Sequence, residues 1–122
     1  MLRKMLAAAI FLLSATTAQA ASRVWISEYG VLTVTNTGGV PAQAAALPAL
    51  ALQSTLDLSG GTAQTSAAFN GQTRYIRIVC EVQCAVRGDG SAATTSAILL
   101  PALSVEYFGV QAGATVSVIA AP

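Results

Sequence analysis

The chain contains no histidine, and only 9% of its 122 residues are charged and 6% aromatic. Without an imidazole, the Ser-His-Asp and Cys-His arrangements and every histidine-bearing metal site are excluded. Long apolar runs are also absent. The one candidate, Met5 to Ala15, is too short for a spanning helix, which needs roughly 20 apolar residues. Lysine is missing after position 4, so the basic residues beyond the N-terminal segment are Arg23, Arg74, Arg77 and Arg87. These scattered arginines form no patch able to displace counterions from a phosphate backbone, so no nucleic-acid partner is expected. An anionic membrane surface is a poor partner for the same reason.

The N-terminus reads as an address. A basic start (Arg3, Lys4) precedes the apolar run, and Ala18-x-Ala20 ends it in the small-residue pattern of a signal-peptidase site. Residues 1–20 are therefore expected to be a signal peptide, leaving 21–122 as one domain of a secreted or periplasmic protein with no membrane association after cleavage. The alternative is a membrane anchor.

From Ala21 onward the hydrophobic period is two, which belongs to strands. Val24 to Tyr29 alternates, and Val31 to Thr35 is rich in β-branched residues. Asn36 to Pro41 is a turn cluster, and the alanine-rich stretch 42–51 with Pro48 reads as a loop holding at most one helical turn. Leu50, Leu52, Leu56 and Leu58 share one parity, which predicts a strand with one buried face. Thr62 to Phe69 is a small-residue strand candidate. Asn70-Gly71 predicts a type I′ hairpin into Gln72–Cys80. Turns are expected at Gly88–Ser91 and Gln111–Gly113, a loop over 92–97, and strands at Val105–Val110 and Thr115–Ile119. This pattern predicts an all-β fold, a compact antiparallel β-sandwich of jelly-roll or immunoglobulin-like type with about eight short strands.

Both cysteines, Cys80 and Cys84, lie in the part expected to be exported, where disulfides persist. On one straight strand their Cα atoms would stand about 13 Å apart, beyond the ~7 Å a disulfide can span. A bridge therefore needs the chain to reverse within Glu81-Val82-Gln83. The favoured reading is a hairpin with a bridge; the other is a straight strand with two buried thiols. Neither redox catalysis nor a zinc site is expected, because the spacing is not C-x-x-C and further soft ligands are missing.

No catalytic, metal or cofactor site is expected. The acids Glu28, Asp57, Glu81, Asp89 and Glu106 are dispersed, and strand carboxylates such as Glu28 and Glu106 are expected to face solvent or to pair with an arginine. Arg74 and Arg77, on either side of Tyr75, are expected to pair across strands with Glu28, Glu81 or Glu106. Arg87-Gly88-Asp89 matches the integrin-ligand tripeptide, yet Gly-Asp-Gly is ordinary turn chemistry. Trp25, Tyr75, Arg77 and Tyr107 are the candidate contact surface for a protein or sugar.

Several ordered segments resemble a known group. They are Val24-Trp25-Ile26-Ser27-Glu28-Tyr29, Ala67 to Ile78, Cys84-Ala85-Val86, Ala92 to Ser96, Leu100-Pro101-Ala102 and Glu106-Tyr107-Phe108-Gly109-Val110. Together they resemble small β-rich proteins encoded by tailed phages and prophages near virion structural genes. The resemblance implies a non-enzymatic structural, assembly or decoration protein that contacts protein partners or its own copies as a homo-oligomer, located in the virion. The export signal and the cysteine pair stand apart from that group. Either the protein is an exported relative, or translation starts downstream of Met1. The second functional expectation is an exported surface or periplasmic binding module, adhesin-like or glycan-contacting.

Overall fold

The computed structural model describes residues 21–37 and 40–122. The expected signal peptide and Gly38-Gly39 of the turn cluster lie outside the described residues.

All regular structure among the described residues is β. The strands are β1 (Arg23–Tyr29), β2 (Leu32–Thr37), β3 (Val40–Ala45), β4 (Ala51–Leu52), β5 (Leu56–Asp57), β6 (Gln64–Thr65), β7 (Tyr75–Cys80), β8 (Cys84–Arg87), β9 (Ile98–Leu100), β10 (Val105–Gly109) and β11 (Ser117–Ala120). One antiparallel sheet runs β10-β7-β1-β4, with β5 also paired to β1, and a second runs β6-β11-β8-β9. The strands β2 and β3 form a separate ribbon.

The two sheets share one core. Val24, Ile26, Ile76 and Ile78 come from the first sheet and Val86, Leu100 and Val118 from the second, all buried in a single apolar cluster. The alternation seen in the sequence dictates this: Val24 and Ile26 on β1, and Ile76, Ile78 and Cys80 on β7, are the inward residues of a pleat. The all-β expectation is met, with nine strands in the two main sheets rather than about eight.

Local expectations fared unevenly. The stretch read as a loop with a helical turn holds β3 and part of β4 instead, because the ladder of Val40–Ala45 with Leu32–Thr37 outweighs alanine's helical preference. The leucine-rich segment is not one strand. Pairing passes from Ser27↔Leu52 to Val24↔Leu56, a slip of one residue that turns Leu52 outward and Leu56 inward despite their shared parity. Asn70-Gly71 opens a turn closed by the Thr73 amide donating to the Asn70 carbonyl (2.9 Å), but it is no hairpin. The turn lifts the chain from the second sheet, where Phe69 donates to Ala114, to the first, where Arg74 donates to Tyr29.

Cys80 and Cys84 are bridged, with Cα atoms 6.3 Å apart. The reversal expected at Glu81–Gln83 is present, yet β7 and β8 belong to different sheets. The disulfide therefore clamps a crossing between sheets, not a hairpin.

Candidate functional site

The four residues singled out for contact lie on one surface. Val24 and Ile26 on β1 and Ile76 and Ile78 on β7 are core residues, and Phe108 on β10 packs against them, so Trp25, Tyr75, Arg77 and Tyr107, of the opposite parity, fall on the outward face of the first sheet. Register sets them in rows: Trp25, Val79 and Val105 in one, Ser27, Arg77 and Tyr107 in the next, then Tyr29 beside Tyr75. Tyr29 and Tyr75 stack with centroids 5.0 Å apart, and Tyr107 tilts against Tyr75 at 6.3 Å. The Tyr75 hydroxyl donates to the Val31 carbonyl (3.3 Å). Burial, with Tyr29 and Tyr107 close by, raises the Tyr75 phenol above its usual range. The Arg23 guanidinium lies 5.3 Å from the Trp25 ring centroid, a cation–π contact. Tyr107 is 52% exposed, Trp25 37% and Leu52, across from Ser27, 76%.

The outward face of the second sheet is treated differently. The segment between β8 and β9 folds back over it: Ala93 is buried, and its amide donates to the Ser117 hydroxyl (2.8 Å). Ala85 and Ser117, both outward in register, are buried. The chain thus covers this face around Ser117, while Leu99, beside Ala85 in register, stays exposed; the outward face of the first sheet presents rings and aliphatic groups.

The expected cross-strand ion pairs of Arg74 and Arg77 are not formed. Glu28 and Glu106 occupy the inward parity of β1 and β10, opposite to Arg77, whose neighbours are Ser27 and Tyr107. Arg74 donates to the carbonyls of Gly71 and Thr73. Glu81 pairs with Arg23 instead, the guanidinium Nε 3.2 Å from the carboxylate, which holds Glu81 below the usual carboxylate range. This pair is solvated, so Glu81→Gln is expected to leave the urea midpoint within experimental scatter. The Arg87-Gly88-Asp89 charges are spent on each other: Nε and Nη2 of Arg87 donate to the two Asp89 oxygens at 2.7 and 2.8 Å, and this hydrogen bonding lowers Asp89 to about 2. A receptor would have to break that fork before reading the tripeptide.

Glu28 overturns the expectation that it faces solvent. It is 3% exposed. Its Oε1 accepts from the Thr73 hydroxyl (2.7 Å) and the Asn70 amide (2.8 Å), and its Oε2 accepts from Gln53 Nε2 (3.1 Å). Desolvation opposes the charge, but the bonds from Thr73, Asn70 and Gln53 outweigh it and lower the carboxyl. Gln53 in turn closes a two-way bond with the Ala67 main chain. The carboxylate therefore anchors the turn that carries the chain between sheets. The signal was in the sequence: Glu28 shares the parity of Val24 and Ile26.

A cleft of about 860 Å³ opens between the sheets on the β9–β10 side, lined by Phe69, Ile76, Val86, Ile98 and Phe108 with Arg74 and the Arg87–Asp89 pair at its mouth. Sequence reading missed it, because its walls come from strands distant in the chain. Its lining is mostly apolar, and no side chain in it is paired as nucleophile and base. Among the described residues, Glu28, Asp57, Glu81 and Asp89 are each held by local partners, Asp57 by the Ser59 amide. No protein-family model, curated protein or solved structure matches this chain.

Proposed function

We propose that this chain is a non-enzymatic structural protein that assembles with its own copies and decorates a larger protein assembly. The single observation that carries this reading is the outward face of the first sheet, where register sets Trp25, Leu52, Val105 and Tyr107 side by side and all four stand exposed. A contiguous apolar face of this kind marks an interaction surface. The resemblance to virion-associated phage proteins supports the decoration role, and the Cys80–Cys84 bridge fits an oxidising location outside the cytoplasm.

A second reading, an exported binding module that contacts glycans, draws on the same surface. Sugar rings stack on flat aromatic faces, and Arg77 between Ser27 and Tyr107 supplies donors beside them.

Light scattering on the chain from Ala21 separates the two. Assembly predicts a mass above that of one chain at about 100 μM. A single-chain mass throughout, with retention on glycan beads, overturns it in favour of the second reading. The double variant Trp25→Ser, Leu52→Ser is expected to weaken assembly through this face by at least about tenfold, because it replaces exposed apolar area with hydroxyls.

A further inference from the structure

The strand β10 ends its sheet with one row of main-chain groups facing away from β7. The Val110 amide donates to the Arg74 carbonyl at 2.9 Å, and the register runs from Val105↔Val79 to Gly109↔Tyr75. In an antiparallel ladder these two facts set the phase. Glu106 and Phe108 turn their amides and carbonyls to β7, whereas Val105, Tyr107 and Gly109 turn theirs outward. The only strand paired with β10 among the described residues is β7.

Free edges are ordinarily blunted by proline, lysine, a bulge or an inward charge. Val105–Gly109 has no proline or lysine, and its residues are mostly exposed. Its one charge, Glu106, has the inward parity but is exposed at the open side of the sandwich, and it is placed so that a copy of itself does no harm. If two strands lie antiparallel about a two-fold axis through Tyr107, then Tyr107 meets Tyr107, Val105 meets Gly109, and Glu106 meets Phe108. The outward groups of all three odd-numbered residues then close into hydrogen-bonded pairs, about six bonds in all, and no like charges face each other. Any shift of register leaves part of this short strand overhanging.

We propose that two copies of this chain pair antiparallel through the open edge of β10, centred on Tyr107, so that their first sheets become one continuous sheet. The two outward aromatic faces merge across the seam and stay free for the larger assembly. This rests on the self-assembly reading above and names the contact that starts it.

The test is amide exchange with light scattering on the chain from Ala21. At about 100 μM the amides of Val105, Tyr107 and Gly109 are expected to exchange slowly and to lose protection on dilution, while Glu106 and Phe108 stay protected throughout. Equal, fast exchange of the three outward amides at both concentrations overturns the proposal. Tyr107→Pro removes an outward N–H that β7 does not use, a position where an edge strand tolerates proline. It is expected to weaken pairing by at least about tenfold, whereas Tyr107→Ala, which keeps the N–H, weakens it less. Equal loss in the two variants would assign the contact to the ring and sink the main-chain pairing. Association that ignores Tyr107→Pro sinks the edge contact while leaving self-assembly standing; a single-chain mass for the unaltered protein sinks both.

Discussion

Glu28→Ala is expected to lower the unfolding free energy by about 3 kcal/mol, measured by urea titration. The substitution strips the acceptor from the Thr73 hydroxyl, the Asn70 amide and Gln53 Nε2 together. Thr73 is fully buried, so water cannot replace the lost partner without entering the core. Glu28→Gln keeps the shape but sets an amide NH₂ against Gln53 Nε2, which already donates to Ala67; a cost of about 1–2 kcal/mol is expected. A Glu28→Ala protein as stable as the parent would show that the turn between sheets does not depend on this carboxylate.

The same group sets a pH dependence. Its folded value lies below its unfolded one, so the folded state binds the proton less readily. Glu28 therefore contributes stability that is fully present above the ordinary carboxylate range, near pH 4–5, and is lost as the pH falls through the lowered folded value. Urea midpoints between pH 6 and 3 should fall, and Glu28→Gln should flatten that fall. An equal slope in the two proteins would transfer the effect to Asp57, Glu81 and Asp89, which are also lowered.

Replacing both Cys80 and Cys84 with alanine is expected to cost about 2–3 kcal/mol. The bridge closes a short loop, for which restriction of the unfolded chain alone yields about 2 kcal/mol. Both sulfurs are also buried in the shared core, so alanine leaves unfilled volume. The parent protein with dithiothreitol should approach the variant's urea midpoint, and the variant should be insensitive to reductant. A variant with an unchanged midpoint would mean that the Leu103 amide on the Cys80 carbonyl, and the Ala121 amide on that of Gln83, already hold this corner.

What the sequence makes legible is whatever is local. The two-residue rhythm of Val24 to Glu28 and of Ile76 to Cys80 marks strands and names their buried faces, because the pleat alone sends successive side chains to opposite sides. The same rhythm predicts that Trp25, Tyr75 and Arg77 point outward, and with Tyr107 they do meet on one surface. The need for a reversal at Glu81–Gln83 followed from strand rise and disulfide reach. Partnership between strands was not legible. Nothing near Asn70-Gly71 or Cys80–Cys84 announces that each segment crosses between sheets, since a turn's sequence is the same whether its flanking strands pair with each other or with distant ones. The one-residue slip that turns Leu52 outward, the roof over Ser117 and the carboxylate nest around Glu28 arise from contacts between residues far apart in the chain. Periodicity told each residue which side of its strand it occupies; only tertiary packing decided what lies on that side, because burial is a property of the neighbours and not of the strand.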